Sequence, residues 1–205
     1  MTTTEQIREL AKHLQLPTLA EYQDHLDEVV DKPFAEALLY LLQLEVSGKQ
    51  ERRCLRRMKD ARFSMIKTLD MFDRSRLPKL NPRQIEELAN CDYIRQRYNV
   101  LAVGNTGTGK SHLSMALGRK AVESGFTVRY HTVVTLVDQL ITAQHRHELQ
   151  QQIKPLQTCD LLILDEFGYQ TLSQEQANLL FQLFVSRHEQ RSTYVTTNLE
   201  FSKWV

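Results

Sequence analysis

The sequence predicts an α/β fold built on a parallel sheet and preceded by a small all-α region, and three observations carry that prediction. The stretch Gly104-Asn105-Thr106-Gly107-Thr108-Gly109-Lys110-Ser111 fits the phosphate-binding pattern G-x-x-x-x-G-K-[ST], with a short apolar run before it and a helical run after it. Beyond Gly125, strand-like and helix-like segments alternate. Residues 1 to about 75 instead show apolar residues at helical spacing and no strand pattern.

Composition sets the outer bounds. A chain of 205 residues allows one domain or two small ones. A net charge of +1 says nothing about a polyanionic partner, so only a local basic cluster can. Cys54, Cys91 and Cys159 are odd in number and far apart, which suggests neither a disulfide framework nor a thiolate zinc site. His145 and His147 do not share a helix face and read as a solvated pair. Met1 to Leu10 has no apolar signal core, and the longest apolar run, Ala37 to Leu42, is too short to span a bilayer. A cytoplasmic location without a membrane is the resulting expectation.

Taken in order, Thr2 with Glu5 forms a capping-box pattern opening the stripe Ile7, Leu10, Ala11, Leu14, which Pro17 ends. Thr18 with Glu21 repeats the pattern before Leu19, Tyr22, Leu26, Val29 and Val30. Pro33 suits a new first turn. Phe34, Leu38, Leu41, Leu42 and Leu44 then predict the most buried helix of the group, broken at Ser47-Gly48. In the next helix Leu55, Met58, Met65 and Leu69 form an apolar stripe, while Arg52, Arg53, Arg56, Arg57, Lys59 and Arg62 crowd elsewhere. A charge of one sign and rich in arginine suits phosphate contact, and a solvated outer face accounts for the same pattern. Leu77 to Pro82, with two prolines and an asparagine, predicts a linker between an N-terminal domain, 1–76, and a second domain, 83–205. Residues 83 to 98 read as a short helix.

Asn99 to Val103 predicts the strand before the glycine loop, and Leu113 to Ala121 the helix after it, stopping near Gly125. Thr127 to Tyr130 predicts a strand and Val133 to Gln144 a helix with Leu136, Leu140 and Ile141 on one face; Pro155 interrupts a polar stretch. Leu161 to Leu164 reads as a buried parallel strand carrying Asp165 and Glu166 at its C-terminal end, where open α/β sheets bind ligands. Ser173 to His188 predicts a helix and Ser192 to Asn198 a further strand.

The candidate site follows from this arrangement. Glycines let the loop turn tightly and expose N–H groups to a phosphate. Lys110 can reach the β- and γ-phosphates, and the Ser111 hydroxyl can ligate Mg²⁺. The following helix turns its positive end toward the same anion. Asp165 is spaced to hold Mg²⁺, or else caps the loop behind it. Glu166 can orient and deprotonate an attacking water, or else is an idle acidic neighbour. Asn198 can meet the γ-phosphate or the water if its strand lies between the other two.

Together, G-N-T-G-T-G-K-S-H-L, L-L-I-L-D-E-F-G-Y and T-T-N-L-E-F-S-K-W make the chain resemble the IstB-like ATPases, the insertion-sequence transposition helpers of the AAA+ class related to DnaC and DnaA. Lys67-Thr68-Leu69-Asp70-Met71-Phe72-Asp73 is similar to the segment before the ATPase core in that family, so the resemblance covers nearly the whole chain. It implies a P-loop NTPase of the AAA+ type, with helices on both faces of its sheet. It implies ATP and Mg²⁺ as cofactors. Gly104, Asn105, Thr106, Gly107, Thr108, Gly109, Lys110, Ser111 and His112 would bind nucleotide, Ser111 and Asp165 the metal, and Lys110, Glu166 and Asn198 would act in hydrolysis, with Asn198 as sensor 1. It further implies homo-oligomers on duplex DNA that assist a transposase, with the basic helix as a DNA contact. A DnaC-like helicase loader and a silent binding fragment are the alternatives. The family continues past the last strand with an arginine finger and a sensor 2 arginine. Arg187 and Arg191 precede Asn198 and do not match that finger, so the C-terminal part of the module is expected to be missing and this chain's turnover weak or absent.

Overall fold

The computed structural model describes residues 1–73 and 81–199. The expected linker therefore falls outside the described residues except for Asn81 and Pro82, as does the end of the T-T-N-L-E-F-S-K-W run. The chain forms two compact units, Met1–Arg56 and Arg57–Val205.

The first unit is helical. Helix α1 (Thr3–His13) opens with the expected capping box, Thr2 accepting from the Glu5 N–H and Glu5 reaching back to the Thr2 N–H. The second helix does not form as one piece. Pro17 starts a single turn, α2 (Pro17–Ala20); a 3₁₀ turn (Tyr22–His25) and α3 (Leu26–Val29) follow. Thr18 caps nothing; its hydroxyl accepts from Arg52 at 3.1 Å.

Helix α4 (Phe34–Ala61) is continuous over 28 residues, so Ser47-Gly48 does not break it. A Cβ on Gly48 would stand 2.7 Å from Thr18 Oγ1 and 2.9 Å from Arg52 Nη1. The glycine permits a close helix approach, which outweighs its helix penalty of about 1 kcal/mol. Nor is this the most buried helix: Phe34, Leu39 and Val46 are exposed, and the side chain α4 does bury in this unit is Glu45. Glu45 accepts from the Leu19 N–H at 2.9 Å and pairs with Arg52 at 2.8 Å.

The second unit begins with the last turn of α4. Arg62 adopts φ +58 and ends that helix, so Met65 and Leu69 do not continue its stripe and residues 62–73 are not helical. Asn81 caps α5 (Pro82–Ala89), with its side chain accepting from the Arg83 N–H at 3.0 Å and Pro82 in the first turn. Cys91, at φ +62, separates α5 from α6 (Asp92–Arg95), splitting the single helix expected over 83–98.

The sheet is parallel, in the order β1-β4-β3-β2, with β1 (Val100–Val103), β2 (Val128–Thr132), β3 (Leu161–Phe167) and β4 (Ser192–Thr197). The last strand in sequence thus lies between the first and third. Helix α7 (Lys110–Glu123) covers one face. Gly118 brings it close: a Cβ there would stand 2.6 Å from Ile163 and 2.9 Å from Phe63. The other face packs Leu162 and Leu164 against α8 (Val133–His145), α9 (Leu149–Thr158) and α10 (Gln174–Arg187). The polar stretch around Pro155 forms α9 with the proline inside it, and Ile153 and Leu156 are buried there. No helix among the described residues is long and apolar enough to cross a membrane.

Candidate nucleotide site

The site stands at the C-terminal ends of β1, β3 and β4. The loop leaving β1 is tied to β4, its Gly104 N–H donating to the Thr197 carbonyl at 3.1 Å. Gly107 (φ +81) and Gly109 (φ +92) take backbone conformations that side chains resist. Among the described residues nothing lies within 4 Å of where a Cβ on Gly107 would point. Helix α7 starts behind Gly109 with no side chain among the described residues capping it, so its first N–H groups can meet an anion. Lys110 Nζ donates to the Gly104 carbonyl at 2.7 Å and the Asn105 carbonyl at 2.8 Å, which holds the ammonium within the loop. Burial lowers its pKa, and the Asp165 carboxylate opposes that shift.

Asp165 is buried and receives three hydroxyls from three elements. Ser111, in the first turn of α7, donates to Oδ1 at 2.9 Å; Thr196 on β4 donates to the same oxygen; Tyr130 on β2 donates to Oδ2 at 2.6 Å. Burial, with the neighbouring Asp165 carboxylate, raises the Tyr130 phenol pKa, so it serves as a donor at neutral pH.

A bulge separates the two carboxylates. Between the pairs Leu164–Val195 and Phe167–Thr197, β3 has Asp165 and Glu166 where β4 has only Thr196. Glu166 takes φ +61, and its N–H donates to Thr196 Oγ1 at 3.0 Å. Asp165 is thereby turned into the protein while Glu166 is exposed at the mouth. One strand over, the Asn198 Oδ1 is buried and accepts from no group among the described residues, so it can take a hydrogen bond from water.

The chain's donors suit a nucleotide with Mg²⁺. Among the described residues no cluster of three His, Cys, Asp or Glu could cage a metal. A single carboxylate beside a hydroxyl and a phosphate loop is the arrangement Mg²⁺ uses when phosphates complete its shell. His112 is turned from the loop: its ring meets the Thr68 carbonyl at 3.0 Å and packs edge-to-face with Phe72, centroids 5.4 Å apart. Phe72 is buried and would stand 3.0 Å from a Cβ on Gly109. Thr106 and Tyr169 share a hydrogen bond of 2.9 Å, and Thr108 donates to the Asn105 carbonyl at 2.9 Å.

Sequence reasoning missed Tyr130, Thr196, Phe72 and Tyr169. The T-T-N ending of β4 was a signal for Thr196, since polar residues at a buried strand end need partners. Tyr130 gave no such signal, because a tyrosine suits any strand.

The basic residues are placed unevenly. Arg52 is committed to Glu45 and Thr18 in the first unit, where Arg53 and Arg56 are exposed. In the second, Lys59 and Arg62 are exposed and Arg57 is half-buried. Arg187 is buried at the junction of α9, α10 and β4, donating to the Cys159 carbonyl at 3.0 Å, the Leu156 and Ser192 carbonyls and the Thr193 hydroxyl. Arg191 pairs with Asp160 at 3.1 Å.

Comparison with known proteins agrees with this geometry. The profile of the family described as IstB-like ATP binding protein matches residues 9–205. The chain belongs to that family. A relative from Pseudomonas aeruginosa, named as an ATP-binding protein of insertion sequence IS21, is 34% identical over 198 residues, covering 95% of this chain and 75% of its own. One from Geobacillus stearothermophilus, named likewise for IS5376, is 32% identical over 203 residues, covering 98% and 81%. Among solved structures, AMPPCP-bound DnaA from Aquifex aeolicus superposes with a TM-score of 0.61 at 19% identity, over 70% of this chain and 45% of that one. The DnaC helicase loader gives 0.54 at 20% identity, over 72% and 81%. These likenesses show that the chain shares the fold of DnaA and DnaC.

Proposed function

We propose that this IstB-like chain is an ATPase that assembles as a homo-oligomer on duplex DNA in the cytoplasm and assists a transposase. The observation that carries the catalytic part is the convergence of Lys110, Ser111, Asp165, Glu166 and Asn198 on one loop at one end of the sheet. In this reading the loop from Gly104 to Gly109 and the α7 N-terminus bind the phosphates, with His112 behind them. Lys110 neutralises the terminal phosphates. Ser111 and Asp165 hold Mg²⁺, which when bound draws charge from the phosphates and fixes their geometry. Glu166, exposed at the mouth, orients and deprotonates water, and the Asn198 amide accepts from that water.

The DNA part rests on the basic run in the sequence, in which Arg53 and Arg56 of the first unit and Lys59 and Arg62 of the second are exposed, Arg57 is half-buried and Arg52 pairs with Glu45. The N-terminal region to residue 76 would then serve DNA contact and assembly, and 83–205 ATP hydrolysis. The relatives' names supply the insertion-sequence setting and hence the transposase as partner. The test is binding of the purified chain to a random-sequence duplex with ATP, a non-hydrolysable analogue or ADP, followed by pull-down with the transposase of the same insertion sequence. Nucleotide-dependent binding with capture of the transposase is expected. Capture of a replicative helicase instead would support a helicase loader, and no nucleotide effect on DNA binding would contradict the proposal.

A further inference from the structure

We propose that Tyr130 is a positioning residue for the metal carboxylate: its hydroxyl fixes which oxygen of Asp165 faces the magnesium site. The inference rests on reading Asp165 as the Mg²⁺ carboxylate.

The register explains why a tyrosine is needed. Asp165 pairs with Thr132, and Tyr130 pairs with Ile163, so Tyr130 lies two residues back along β2 on the same face as Asp165. At about 3.3 Å of rise per residue, its Cα lies about 6–7 Å behind the level of the carboxylate. Serine or threonine cannot cross that gap, whereas a phenol can, and the hydroxyl arrives 2.6 Å from Oδ2. The ring is held in turn by Phe63, with centroids 6.1 Å apart, and Phe63 is wedged where α7 approaches the sheet at Gly118.

The two carboxylate oxygens are treated differently. Oδ1 accepts from Ser111 and Thr196, and Oδ2 from Tyr130. Once the Ser111 hydroxyl serves the metal, Oδ1 loses a donor on the side facing the loop, while Oδ2 keeps its own. Tyr130 therefore holds Asp165 with Oδ1 forward. Without the hydroxyl, a buried carboxylate oxygen lacks a partner and the group is free to turn toward Lys110 or water. Partners of this kind, one step removed from a metal, change its affinity by about 10–100-fold when lost.

The experiment is Tyr130→Phe in the full chain, which keeps the ring and removes one oxygen. Binding of a fluorescent ATP analogue is titrated with Mg²⁺ and, separately, measured in EDTA, with Asp165→Asn as comparator and thermal melting as the check on folding. The expected result is a Mg²⁺ midpoint raised about tenfold or more with the EDTA affinity unchanged. Phe63→Leu, which retains the hydroxyl and loosens the ring, gives a second arm in which a smaller rise is expected. Wild-type Mg²⁺ midpoints in both variants, where Asp165→Asn abolishes the Mg²⁺ effect, would overturn the inference alone. A wild-type chain whose nucleotide binding ignores Mg²⁺ would overturn the reading of Asp165 beneath it.

Discussion

The hydroxyl of Ser111 donates to the carboxylate of Asp165 at 2.9 Å, joining the end of the glycine loop to the end of β3 across 54 residues of chain. That contact exists because α7 and β3 pack face to face through Gly118 and Ile163. It places a hydroxyl and a carboxylate where one cation can meet both, and it ties the proposed chemistry to the packing of the core.

Glu166 should separate binding from turnover. It is exposed and its backbone is set by the bulge, so Glu166→Gln keeps size and hydrogen bonding while losing the base. The expected result is unchanged ATP affinity and hydrolysis reduced by about 10²–10⁴-fold in a hydrolysing assembly. Steady-state phosphate release beside equilibrium binding checks it; equal turnover would make Glu166 an idle neighbour.

Arg187 should matter for stability and not for phosphate chemistry. Arg187→Leu leaves the Leu156, Cys159 and Ser192 carbonyls without this donor, at about 1–3 kcal/mol each. Arg187→Lys should rescue little, since an ammonium cannot reproduce the planar fork. Urea unfolding measures both variants, and wild-type stability in either would contradict this placement.

His131 should make the second unit sensitive to mild acid. Burial, with Arg62 and Arg129 nearby, lowers its pKa to about 4 from about 6.5. The unfolded chain then binds the proton more readily, so this stabilisation is complete above about pH 6.5 and is lost as pH falls toward 4. The loss is on the order of 3 kcal/mol. Melting temperature against pH for His131→Gln should be flatter through that window; a parallel curve would show that other groups dominate.

DNA affinity should fall with salt, and the exposed arginines should set the slope. Arg53→Ala with Arg56→Ala should weaken binding to all duplexes alike and lower the log–log salt slope by about two if each arginine contacts a phosphate. Arg52→Ala should instead destabilise the first unit, because Glu45 would be left buried without its cation. An unchanged affinity and slope in the double variant would mean a solvated face.

How much of this was legible in the sequence depended on whether the signal was local. The glycine loop, the strand Leu161–Leu164 and the cap at Thr2 are short-range patterns, and they form where their residues stand. Gly48 misled because its local preference was overridden by the approach of Thr18 and Arg52. The bulge at Asp165-Glu166 and the reach of Tyr130 depend on register between strands about 30 residues apart in sequence or more, which no spacing in the sequence reveals.

If the loop around Lys110 holds the phosphates of ATP, equilibrium binding of ATP with Mg²⁺ must differ between the wild-type chain and Lys110→Ala. Losing a charged donor to the terminal phosphates costs about 1.5–3 kcal/mol, so about 10–100-fold weaker binding with thermal melting preserved is expected. Equal affinity in the two chains would contradict it.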